Sequence, residues 1–236
     1  MDVVELKDLN QFHEIFRTFR SHDGLGSWFR GQANSDWGLL PSAGRQAYFL
    51  PNNRDLGRFN DWESNAIAYD DLPTSDLEKL AIAQHHGLAT RLLDWTKNPL
   101  VAAYFSVISN PQDAGAIYIL EVPNDFSTKD MKLDTLKEHS GVLAYIPRLI
   151  TSRIVNQKGM FTVHCPANKE IELSESRISK GYKNLTKIII SPSLKSEVEK
   201  MLDDYGINWQ TLFSDLDGLS KYKNRYTQQM VARNAK

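Results

Sequence analysis

Arg30 ends a short aromatic run, Ser27-Trp28-Phe29-Arg30-Gly31-Gln32, and stands directly before a glycine. A guanidinium presents a planar fork of donors that grips a diphosphate at two points, and a glycine beside it lets a ligand approach the backbone closely. The competing partner for Arg30 is internal, a carboxylate such as Asp94. A second concentration of polar groups, Thr90-Arg91-Leu92-Leu93-Asp94-Trp95-Thr96, alternates hydrogen-bonding and large apolar side chains just before an apolar run. Burying arginine and aspartate costs several kcal/mol unless they are paired or bound. Either Arg91 and Asp94 satisfy one another, or Thr90 and Arg91 surround phosphate or ribose while Trp95 supplies a stacking wall for a planar ring.

His85 and His86 end a helical segment, where the helix dipole favours a protonated imidazole. Adjacent residues on a helix point about 100° apart, so the pair cannot ligate one metal, and no partner stands at i+3 or i+4. No metal site is expected. Gln157, Gly159 and Phe161 are read as opening a strand, with the Gln157 amide available to bind and orient a ligand. Glu170 and Glu172 flank Ile171 and share a face if that segment is extended. His164 and Cys165 show no triad spacing, and a lone cysteine is most often simply buried.

The elements that must hold these groups follow from local signals. Asp8 or Asn10 caps a helix whose apolar residues Leu9, Phe12, Phe16 and Phe19 fall three, four and three apart. Ser21 to Gly26 supplies a turn, and a helix is expected at 56–69. Ser75 with Glu78 has capping-box spacing, predicting a helix over 77–86 that ends at Gly87. Residues 91–96 read as a compact turn. Asn98-Pro99 then places a capping residue before a proline at the first helical position, and the apolar run 100–108 predicts a helix buried on most sides. Strands are expected at 116–122, 142–147, 160–164 and 187–191. An amphipathic helix opens at Ser193 and closes at Gly206, and a short one spans 209–212. Residues 221–236 read as a basic, solvated or disordered tail after a single domain at 1–220.

Composition narrows the classes. The 236 residues are 41% hydrophobic and 24% charged, enough to bury one sizeable core. Lys plus Arg total 28 against 29 Asp plus Glu, so net charge supplies no general attraction to a polyanion. The basic stretch contributes +5, leaving −6 on the rest, so Arg30 and Arg91 are local exceptions in a mildly acidic domain. This favours a small anionic ligand over a long nucleic acid. One cysteine excludes an internal disulfide and cysteine-rich zinc sites. With no signal-peptide pattern and no apolar run approaching ~18 residues, a cytoplasmic protein without membrane contact is expected. The oligomeric state is left open.

Phe29-Arg30-Gly31-Gln32, Trp37-Gly38-Leu39-Leu40-Pro41-Ser42 and the long run from Ala83 through Thr96 resemble the FRG-domain family, named for its aromatic-Arg-Gly motif. The resemblance continues through Asn98-Pro99-Leu100-Val101-Ala102-Ala103-Tyr104-Phe105 and 153–161. The order of an aromatic-Arg-Gly strand, a Thr-containing turn, an apolar helix and a GAIYILEV strand also resembles ADP-ribosyltransferases. What this second resemblance implies is an α+β fold, with N-terminal helices on a mostly antiparallel sheet, continuous or split. It further implies NAD as substrate, Arg30 as its anchor, and Thr90 in the role of the central Ser/Thr. The segment that carries a glutamate in that superfamily holds Gln157 here.

The expected catalytic set is therefore Arg30, His85, Thr90 and Gln157, and the expected binding set is Arg30, Gly31, Gln32, Arg91, Asp94 and Trp95. The function expected is NAD-dependent ADP-ribosyl transfer or NAD hydrolysis in conflict with phage or a competitor, onto water, protein or nucleic acid. The alternative is a non-enzymatic module that binds a nucleotide or a partner, which an amide at Gln157 favours over a carboxylate.

Overall fold

Strand β2 decides how the site is built, because it is paired fully on one side and scarcely at all on the other. The computed structural model describes residues 1–19, 25–123, 127–128, 130–148, 151–173 and 181–234. In chain order the elements are β1 (Asp2–Glu5), α1 (Leu9–Thr18), β2 (Leu25–Gln32), a 3-10 turn (Ser42–Gly44), α2 (Arg54–Ala66), α3 (Asp76–His85), β3 (Leu92–Thr96), α4 (Pro99–Val107), β4 (Gly115–Pro123), β5 (Ser127–Thr128) and α5 (Leu133–Glu138). There follow β6 (Gly141–Tyr145), α6 (Ser152–Gln157), β7 (Gly159–Cys165), β8 (Asn184–Ile190), α7 (Pro192–Asp204), α8 (Trp209–Leu212) and α9 (Leu216–Asn234).

The strands form one sheet in the order β1-β8-β4-β2-β3-β7-β6-β5. The outermost pairs, β1 with β8 and β5 with β6, are parallel, and all others are antiparallel. Between β2 and β4 the ladder runs unbroken from Leu25 opposite Pro123 to Gln32 opposite Ala116, whereas β2 meets β3 only where Phe29 faces Thr96. The sheet is continuous at that single point and splayed on either side of it.

Alternation along the strands sends side chains to two faces. Phe29, Ile117, Ile119, Ile188 and Ile190 meet α1, α4, α7 and α8 in one core, and on the same face Leu92, Phe161 and Val163 meet α2 and α3 in another. The opposite face carries Trp28, Leu93, Trp95, Tyr118 and Leu120, covered by Leu39, Ile171 and Tyr182. The mixed α+β, mostly antiparallel architecture is as expected, with helices gathered on one face.

Local signals account for the helices. Asp8 caps α1 by accepting from the Gln11 amide, and Asn98 caps α4 by accepting from the Leu100 amide, with Pro99 in the first turn. Ser75 accepts from the Glu78 amide, but the Glu78 carboxylate pairs with Arg148 instead of closing a capping box. Helix α4 is buried because two glycines admit it. A Cβ on Gly31 would lie 1.8 Å from the Ala102 carbonyl oxygen, and one on Gly115 would lie 2.2 Å from that of Ser106.

Three expectations change and a fourth narrows. Residues 92–96 are strand β3 rather than part of a compact turn, because they pair with β7 from Leu92 opposite Val163 to Thr96 opposite Gly159. Gln157 does not open a strand; it ends α6, and Lys158 turns the chain with a φ of +48°. Glu170 and Glu172 lie outside any strand, so alternation does not place them on a common face. Of the basic C-terminal stretch, residues 221–234 belong to helix α9, which leaves the solvated reading rather than the disordered one for them. The turn expected at Ser21 to Gly26 lies mostly outside the described residues.

Candidate functional site

The splay between β2 and β3 opens a cleft of about 170 Å³, closed behind by α4 and flanked by α6. Arg30, Gly31, Asp94, Trp95, Gln157 and Arg153 are among its lining residues, with Phe29, Thr96 and Phe105 as its apolar and hydroxyl walls. Of the four residues expected to be catalytic, Arg30 and Gln157 line this cleft.

Arg30 reaches across the splay and donates from one terminal nitrogen to the Asp94 backbone carbonyl at 2.7 Å. That carbonyl is accessible because β2 and β3 do not zip together there. The Asp94 carboxylate stands 3.8 Å from the same nitrogen and is 64% exposed, while the Arg30 side chain is 13% exposed. The Arg30 Nε–H is buried without a partner. Burial pushes the guanidinium down to about 10, against the opposing pull of Asp94. Arg30 is thus a cation already stripped of much of its water, with a donor left over, and an incoming anion would be favoured there.

Asp94 is held by a chain of two side chains, Gln84 of α3 and Thr90 just before β3. Thr90 Oγ1 donates to Gln84 Oε1 at 2.5 Å, and Gln84 Nε2 donates to Asp94 Oδ1 at 2.8 Å. Thr90 also caps the start of β3 by accepting from the Leu92 amide. It is buried and stands two hydrogen bonds back from the Asp94 carboxylate, rather than in the cleft lining where contact with ligand was expected. Gln84 was missed, although it belongs to the same Ala83 to Thr96 run.

On the far wall, Gln157 Nε2 donates to the Leu212 carbonyl at 3.2 Å, and its own backbone carbonyl accepts from Thr96 Oγ1. Its amide therefore ties α6 to α8. Arg153 lies one helical turn earlier on α6 and stacks over the Phe213 ring at 4.9 Å from the centroid. This second cleft arginine was also missed; its i, i+4 relation to Gln157 was the available signal. His85 is not among the cleft-lining residues. Burial and the nearby charge of Arg153 lower its pKa, so its neutral form is favoured.

Three expected binding residues serve the fold. Arg91 is fully buried and grips Asp55 of α2 with Nε and one terminal nitrogen, at 2.9 and 2.8 Å, while also donating to Asn53. Its carboxylate partner is thus Asp55 and not Asp94. The Trp95 ring is buried and donates from Nε1 to Thr162, so it offers no stacking wall to a ligand. Gln32 is buried and donates to the Gly38 carbonyl. Gly31 does line the cleft, and the Ala102 carbonyl of α4 leaves no room for a Cβ there. Among the described residues no cluster of three His, Cys, Asp or Glu could hold a metal, and no helix is long and apolar enough to cross a membrane.

Residues 26–115 match the family model of the FRG domain, a span that takes in β2, α3, β3 and α4 but ends before Arg153 and Gln157. Neither the curated proteins nor the solved structures contain a match to this chain.

Proposed function

We propose, from the premise that this chain carries an FRG domain at residues 26–115, that its cleft binds NAD and breaks the nicotinamide glycosidic bond, as an ADP-ribosyltransferase or NAD hydrolase acting in conflict with phage or a competitor. The observation that carries the reading is Arg30, a desolvated cation with an unpartnered Nε–H, set beside the Asp94 carboxylate in one cleft. Arg30 and Arg153 fit a diphosphate, which wants forked donors from two sides. A cleft of about 170 Å³ takes one part of a dinucleotide, since sites that enclose a drug-sized ligand run to about 300 Å³ and above. The remainder of NAD would lie outside it.

The chemistry follows from charge. When the C1′–N1 bond breaks, its electron pair goes to the pyridinium nitrogen and nicotinamide leaves neutral. Positive charge develops on the ribose, and a carboxylate stabilises it better than an amide does. Asp94 takes that role here in place of Gln157. C1′ gains a bond to water oxygen, or to a protein or nucleic-acid nucleophile, and the displaced proton passes to Asp94 or solvent. Gln84 and Thr90 hold the carboxylate in place.

The test is nicotinamide release from NAD. Wild-type protein releases it, Arg30→Ala abolishes both binding and release, and Asp94→Asn keeps binding while slowing release roughly 100-fold or more. Absence of release, with and without acceptor, together with indifference to Arg30→Ala, sinks the enzymatic reading. A second reading is favoured by the Gln157 amide being engaged with Leu212 rather than aimed at ligand: a nucleotide-binding module without turnover. In that case NAD at a hundred times its Kd stabilises the fold by about 2.7 kcal/mol and is recovered intact.

A further inference from the structure

Among the described residues outside the cleft, two partly apolar exposed surfaces carry opposite charge. The first is a groove of about 450 Å³ between the end of α2 and α3, with Trp62, Leu72 and Ile82 in its lining and Tyr69, Asp70 and Asp71 in the segment that follows α2. Tyr69 is 89% exposed and Ile67, beside it, 72%. Among the described residues neither Asp70 nor Asp71 makes an ion pair. The second surface is on α9, where Lys223, Tyr226 and Met230 recur three and four apart and so form one stripe, all three exposed. The stretch from Ser220 to Lys236 holds five basic residues and no acidic one. Arg225 is engaged with Glu199 and Lys221 lies over Trp209, whereas Lys223 has no carboxylate partner among the described residues.

Exposed apolar groups rimmed by charge mark contact surfaces. No α9 residue lines the groove of its own chain, because α9 packs on α8 and is tied to α7 through Arg225 and Glu199. We propose that the α9 stripe of one molecule docks in the α2–α3 groove of a second copy. Tyr226 and Met230 enter beside Trp62 and Tyr69, and Lys223 meets Asp70 and Asp71. Charge complementarity selects this occupant: the groove is acidic and the helix basic. The two patches differ, so the contact is head to tail and leaves one groove and one helix free at the ends of any open assembly.

Sedimentation of the full chain tests this, with a groove variant (Tyr69→Ser, Asp70→Lys, Asp71→Lys) and a helix variant (Lys223→Glu, Tyr226→Ser, Met230→Ser). All six positions are exposed, and circular dichroism checks that the fold is kept. Wild type is expected to self-associate between about 5 and 200 µM at low salt and at least tenfold more weakly at about 0.5 M salt, where the Debye length falls to a few ångström. Each variant alone stays monomeric. Mixed together they form a 1:1 complex that grows no further, because the intact helix of the groove variant meets the intact groove of the helix variant. A monomeric wild type, variants that associate like wild type, or a mixture that stays monomeric each overturns the proposal.

Discussion

Single residues divide sharply between those that wait for a partner and those that already have one. Arg30 and Arg91 are the same residue type, yet Arg91 is fully buried and grips Asp55 at two points, while Arg30 retains an unpartnered Nε–H at the cleft. His164 belongs with Arg91. Trp95 Nε1 donates to Thr162, which bonds His164 Nε2 at 2.9 Å, while His164 Nδ1 bonds the Lys169 carbonyl at 2.5 Å. The chain is complete when the imidazole is neutral, with Nδ1 carrying the proton. Burial pushes His164 down to about 4. Between the ordinary histidine value of about 6.5 and 4, the unfolded chain takes up a proton that the native state refuses. The contribution is therefore present above about pH 6.5 and lost as pH falls toward 4, by up to ~3 kcal/mol. Urea unfolding at pH 7 and pH 4.5, with the imidazole followed by NMR, checks this; an imidazole titrating near 6.5 in the folded protein contradicts it.

At the scale of elements, α4 and its two glycines set the cleft. Alanine at Gly31 places a methyl carbon 1.8 Å from the Ala102 carbonyl oxygen, a backbone atom that cannot swing away, so α4 must lift from β2. Gly31→Ala is expected to cost more than ~3 kcal/mol, and urea midpoints measure it. Gly38→Ala is the control: a Cβ there meets nothing within 4 Å, and its midpoint should move little. Equal effects at the two positions would show that α4 does not press on β2. The glycine of the aromatic-Arg-Gly motif thus serves packing while its arginine neighbour serves the cleft.

For the whole molecule, the weak seam between β2 and β3 separates two halves with their own cores on the helical face. Backbone groups along the seam lack the strand partners that β4 and β7 supply on either side. Native-state hydrogen exchange should therefore find the β2 amides directed at β3 exchanging well ahead of those bonded to β4. Uniform protection along β2 would mean that the halves are locked together. A ligand held by Arg30 on one half and Arg153 on the other would bridge the seam and slow that exchange.

Elements with local signals were legible along the chain: the Asp8, Ser75 and Asn98 caps, the apolar α4, the strands β4, β7 and β8, and the chemistry available at Arg30. These depend on residues a few positions apart, which is the range of helical and strand periodicity. Strand β3 escaped because its five residues sit between polar neighbours and are held extended mainly by pairing with β7, far along the chain. Which groups meet is settled by the folded arrangement. Asp55 lies 36 residues before Arg91, Thr162 lies 67 after Trp95, and Arg153 comes to the cleft of Arg30 from beyond four further strands. Such pairings rest on burial and close approach through space between residues far apart along the chain.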